Sequence, residues 1–145
     1  MTELERYYER YEKITKKYDK AYEVRDDKGL EEARAAYQEL SSEIDSHGKT
    51  YAFIFERYRT SRERGNTLLD IDDNAGNQVK ELVEVLKKIG VQKFTFSSGW
   101  TDATTIAWKF VQEGCTIAGM TLVYGTKKIH FDERNTSPAY VFEIH

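Results

Sequence analysis

Proline and cysteine are almost missing, each occurring once in 145 residues. A lone cysteine, Cys115, cannot close an intramolecular disulfide, so a disulfide scaffold is excluded. No apolar run approaches the length of a membrane span or a signal-peptide core, and a soluble, cytoplasmic chain is expected. An excess of one charge is lacking as well. The 22 basic and 25 acidic side chains leave a net charge of -3, so no overall field draws the chain toward nucleic acid or an anionic membrane. The three histidines, His47, His130 and His145, share no ligand spacing. Neither a zinc set nor a nucleophile with a positioned base is visible in the local sequence. A conventional enzyme is therefore not expected, and no cofactor or metal is assigned.

What is present begins with helical periodicity. Leu4, Tyr7, Tyr11, Ile14, Tyr18 and Ala21 alternate steps of three and four, as one seam of a helix requires. The cluster Asp26, Asp27, Lys28 and Gly29 marks a turn. A second seam runs Leu30, Ala33, Tyr37, Leu40, Ile44, His47, Tyr51, Ile54 and Tyr58, which predicts an antiparallel helical hairpin. Gly48 is costly inside a helix. Because the seam keeps its register across it, a continuous or merely kinked second helix is expected. The basic stretch Arg57, Arg59, Arg62 and Arg64, followed by Gly65, reads as a helix C-terminus compensated by cations.

After a connector rich in Asp70, Asp72 and Asp73, a helix is predicted from Gln78 to Ile89, with Gly90 as its stop. The period then changes. Val91 to Phe96 reads as a strand, Thr101 to Glu113 as a helix and Cys115 to Tyr124 as a second strand, a βαβ unit with parallel strands. Lys128 to Phe131 and Ala139 to Ile144 add one or two antiparallel strands around a polar loop containing Pro138. The expected class is α+β: an antiparallel hairpin arm over residues 1–66, a connector over 67–77, and a small mixed-sheet α-β-α-β-β domain over 78–145. Its expected core holds Val83, Leu86, Phe94, Phe96, Ile106, Phe110, Ile117 and Leu122.

Three local patterns suggest chemistry, each with a plainer alternative. Asp70, Asp72, Asn74, Gly76 and Glu81 imitate part of an EF-hand loop, but glycine falls one place late, and caps on the following helix explain the same residues. Ser97 to Asp102 forms a strand-to-helix turn that could hold an anion. It lacks the glycine spacing of a dinucleotide fingerprint and the lysine of a P-loop. Cys115 reads as a small core hydrophobe.

Tyrosine is the compositional oddity, because eight of the ten lie before Gly65 and several occupy seam positions where leucine would pack. Tyrosine with arginine is the composition of protein-binding hot spots. The candidate partner-binding residues are accordingly Tyr11, Tyr18, Tyr51, Tyr58, Arg57, Arg59 and Arg62, with the α/β domain as scaffold. The alternative is a nucleic-acid-binding accessory protein using the arginine-rich helix end, though Glu56 and Glu63 interrupt that run.

Leu69-Asp70-Ile71, Phe94-Thr95-Phe96-Ser97-Ser98, Trp100, Gly114-Cys115 and Pro138-Ala139-Tyr140-Val141-Phe142 resemble a family of small uncharacterised bacterial proteins carried on phages, plasmids and conjugative elements. The resemblance covers Leu68 to Ile144 and implies no catalytic residue. Small proteins of such elements often bind a host machine, as anti-CRISPR and antirestriction proteins do. By that analogy the expected function is a non-enzymatic inhibitor or adaptor, and the expected partner a bacterial protein such as a CRISPR effector nuclease or its ribonucleoprotein.

Overall fold

The computed structural model describes residues 2–99, 102–125 and 136–145. The chain divides into two compact units, 1–52 and 53–145. The expected boundary near residue 66 thus falls inside the second unit.

In the first unit, α1 (Glu3–Glu23) starts where the Thr2 hydroxyl accepts from the Glu5 amide at 3.2 Å, satisfying one of the donors a helix start leaves free. Helix α2 (Asp27–Asp45) starts the same way, with the Asp26 carboxylate accepting from the Gly29 amide at 3.1 Å. Lys17 meets Glu32, Arg10 meets Glu43 and Tyr7 meets His47. One index rises as the other falls, so the two helices are antiparallel, with Leu4, Tyr8, Ala21, Ala33, Leu40 and Ile44 buried.

The second seam does not belong to one helix. It stops at Asp45, and α3 (Lys49–Arg64) starts afresh, because Gly48 adopts φ 103°, a left-handed conformation that ends helices and suits glycine. Periodicity reports which face a side chain occupies, and a break that preserves the face leaves no mark on it. Nothing lies within 4 Å of a Cβ built at Gly48, so Gly48→Ala tests backbone strain alone. It should lower the unfolding free energy by about 1 kcal/mol or more, measured by urea denaturation followed by circular dichroism.

The second unit is built on a four-stranded mixed sheet. The strands are β1 (Asp70–Ile71), β2 (Lys93–Ser97), β3 (Cys115–Tyr124) and β4 (Thr136–Ile144), in spatial order β1-β2-β4-β3. The fold is α+β. Strand β1 and a 3-10 turn at Asp73–Ala75 lie in the stretch expected to be a plain connector. Two parallel residue pairs join β1 to β2, with α4 (Val79–Ile89) as the crossover. Gly90 closes α4 at φ 92°, with the Gly90 and Val91 amides both donating to the Leu86 carbonyl.

β2 and β3 each pair antiparallel with β4, so they run parallel to one another, as the expected βαβ unit requires. They are not neighbours, because β4 inserts between them under the crossover helix α5 (Ala103–Gln112). The insertion makes β3 the edge. Ile117 and Leu122, expected in the core, are 50% and 64% exposed. Pro138, expected in a loop, lies within β4 opposite Leu122. The expected strand at Lys128–Phe131 lies outside the described residues.

Phe94, Phe96, Phe110 and Phe142 are fully buried, with ring centroids of Phe110 5.2–5.5 Å from the other three. Cys115 is buried, and burial pushes its thiol up to about 11, which keeps it a protonated packing group at neutral pH.

Candidate functional site

The two seams of the hairpin are closed at their ends and open in their middle. Leu4 and Tyr8 on α1 face Leu40 and Ile44 on α2 at one end, and Ala21 closes the other. Between these, small Ala33 leaves space that the tyrosine rings of its neighbours do not fill. A groove of about 330 Å³ results, lined by Tyr11, Ile14 and Tyr18 of α1 and Ala33, Arg34 and Tyr37 of α2. The Tyr11 and Tyr37 rings tilt against one another at 6.4 Å across the two helices, and Tyr8 stacks on Tyr11 at 6.3 Å. Tyr18 stacks on Tyr22 at 6.4 Å, extending the aromatic run. Tyr37 is 52% and Tyr22 68% exposed. The result is an apolar trough edged by hydroxyls and a guanidinium, which offers ring surface to an apolar side chain and polar atoms to its backbone.

Of the seven predicted binding residues, the groove brings together only Tyr11 and Tyr18. Tyr51 is a correction: it is 4% exposed, stacked on His47 at 4.2 Å and edge-on to Tyr7 at 6.3 Å. The Tyr7 hydroxyl bonds His47 Nε2 at 2.9 Å, and the Glu3 carboxylate lies 3.2 Å from the same nitrogen. Burial, followed by the Glu3 charge, raises the Tyr51 pKa strongly. Its hydroxyl is buried with no hydrogen-bond partner among the described residues. Tyr51 therefore packs the hairpin base.

The arginines are corrected on the same ground. Arg57, in the second unit, is buried. Its Nε donates to the Asp70 carbonyl at 3.0 Å, its Nη2 lies 3.4 Å from the Asp70 carboxylate, and its Nη1 lies 3.1 Å from Asp72. Asp70 also accepts from the Thr95 and Ser97 hydroxyls at 2.7 Å each, and its amide donates to Ser61 at 2.9 Å. Burial raises the Asp70 pKa, opposed by the two hydroxyls and by Arg57. Thr95 and Ser97 alternate with Phe94 and Phe96 along β2, so this polar centre occupies the sheet face opposite the phenylalanines.

Arg59 is held between Glu56 and Glu63 on its own helix, and Arg62 sits over the Tyr58 ring at 6.0 Å. No row of phosphate-ready guanidinia results. The partial EF-hand pattern is dispersed: Asp70 turns inward, while Asp72 accepts from the Asn74 amide at 3.1 Å and caps the 3-10 turn. Helix α4 has no side-chain cap, contrary to expectation. In the strand-to-helix turn, Ser97 is committed to Asp70, and Trp100 and Thr101 lie outside the described residues.

Tyr37 and Ala33 were legible as seam positions but not as groove residues. A small residue next to a large amphipathic one on a short hairpin was the available signal.

Residues 53–144 match the model of a family described as a domain of unknown function, DUF7698. No curated protein and no solved structure matches the chain.

Proposed function

The chain belongs to the DUF7698 family through its second unit, and on that premise we propose that it is a non-enzymatic binding protein whose hairpin carries the partner site. The observation behind this reading is the open tyrosine groove between α1 and α2, which lies outside the family match. A folded hairpin gains stability by closing such a seam over leucine. Keeping Tyr22 and Tyr37 largely exposed and Tyr11 and Tyr18 partly so makes sense if a partner covers them.

The occupant that fits is one face of an amphipathic helix. Its apolar side chains lie over the Tyr11 and Tyr37 rings, along the groove floored by Ala33, and its acidic flank meets Arg34. The partner is a bacterial protein. A CRISPR effector nuclease or another defence enzyme is the first to test, on the resemblance to proteins of mobile elements suggested by the sequence motifs alone, and binding there would inhibit by occlusion.

The test is direct binding to a purified effector ribonucleoprotein, together with phage interference in cells, for the unaltered chain and for Tyr11→Ala/Tyr37→Ala. The double variant should lose on the order of 2 kcal/mol of affinity and keep its melting temperature within a few degrees. Equal binding and equal interference by both chains would sink the proposal. Binding that persists in the double variant but collapses with salt would point instead to a nucleic-acid component.

A further inference from the structure

Among the described residues, strand β3, Cys115–Tyr124, is an edge strand of the sheet, and residues 116–122 are exposed without interruption. Its sequence, Cys-Thr-Ile-Ala-Gly-Met-Thr-Leu-Val-Tyr, contains no charged residue and no proline, in a chain that is 32% charged. Exposed edges of natural sheets are normally guarded by charges, proline or extreme shortness, because their free N–H and C=O groups template further strands. This one is ten residues long and carries none of those three guards, and its bulge, between Ile117 and Gly119, leaves Met120 to Tyr124 in regular register.

The side chains reinforce the backbone. Partners across an antiparallel ladder share a face, and Ile117, Met120 and Leu122 pair with Phe142, Tyr140 and Pro138. These three β4 residues are spaced by two and so share a face themselves. Ile117 and Met120 are an odd number of positions apart, and it is the bulge between Ile117 and Gly119 that returns them to one side. The outcome is a continuous apolar row, 50%, 63% and 64% exposed, running beside an open edge.

We propose that β3 pairs antiparallel with β3 of a second copy of this chain, forming a two-fold dimer with one continuous eight-stranded sheet. A free backbone edge selects a strand in preference to a helix. An uncharged strand finds no countercharge on a charged one, whereas a second copy presents an edge of the same length and neutrality. Two-fold symmetry also makes such an edge self-complementary. With Thr121 on the axis, Met120 lies opposite Leu122 of the second copy and Leu122 opposite its Met120. The Ala118 bulge is then left at the end of the paired segment. A contact this narrow is smaller than a standard interface, so the dimer is weak, with a Kd on the order of 10–100 μM.

Sedimentation equilibrium of the full chain across that range should show a monomer–dimer transition. Leu122→Lys should raise Kd by roughly tenfold or more with an unchanged melting temperature, since the replaced side chain is solvent-facing. Thr121→Cys should form a disulfide-linked dimer under mild oxidation, while the unaltered chain, whose Cys115 is buried, should not. Three results would overturn the inference: a monomer at concentrations near 1 mM, well above the expected Kd; a dimer indifferent to Leu122→Lys; or a dimer abolished by Tyr11→Ala/Tyr37→Ala instead. The first two leave the hairpin groove untouched, whereas the third would assign the groove to self-association in place of a foreign partner.

Discussion

Arg57→Ala should lower the stability of the second unit by about 3–5 kcal/mol, the range for removing one partner of a buried ion pair. The arginine forms an ion pair with a carboxylate that is 3% exposed, and it also satisfies the Asp70 carbonyl. After its removal the Asp70 carboxylate keeps the Thr95 and Ser97 hydroxyls but no ion-pair partner among the described residues. Arg57→Lys should recover part of the loss, because one ammonium cannot reach the Asp70 carbonyl, the Asp70 carboxylate and Asp72 together.

The pH dependence has a definite sign. Burial holds the folded Asp70 pKa above its ordinary 3.8, so the folded chain binds the proton more tightly than the unfolded one. The stability this adds is present below 3.8 and lost as pH rises through the folded value. Removing Arg57 raises that folded value further, so the cost of Arg57→Ala should be smallest in acid and grow with pH before levelling. Both tryptophans, Trp100 and Trp108, lie in the second unit by sequence, so urea denaturation followed by tryptophan fluorescence reads it directly. A loss below 1 kcal/mol that does not change with pH would show that the pair adds little.

Phe110→Ala should cost about 3–5 kcal/mol by the same assay. The ring is fully buried and touches the phenylalanines of both β2 and β4, at 5.2–5.5 Å. Its truncation opens a cavity between layers that cannot collapse without displacing the sheet. Phe110→Leu, which refills much of that volume, should cost roughly 1–2 kcal/mol. Equal losses for the two substitutions would show that the site relaxes around the void.

Local pattern determined much of this protein. The seams through Tyr11 and Tyr37 announce two helices because apolar spacing of three and four is a property of the chain itself. The alternation through Phe94 and Phe96 and the stop at Gly90 are equally local. The tyrosines also carried the composition of a binding surface, which located the hairpin as the place to look.

Tertiary structure decided which of those residues are available. Arg57 looked like a solvated helix end until a two-residue strand, too short to leave a periodic signal, brought Asp70 beneath it. Tyr51 and Tyr11 read alike in sequence, yet His47 and Tyr7 enclose the first while the second lines the groove beside Ala33 and is only partly buried. Ile117 and Leu122 carry the hydrophobicity of a core strand and lie at the edge because β4, arriving last in the chain, pairs between β2 and β3. Periodicity records the face a residue takes on its own element, whereas burial depends on which element comes to cover that face, and that is set by pairings between segments far apart in sequence.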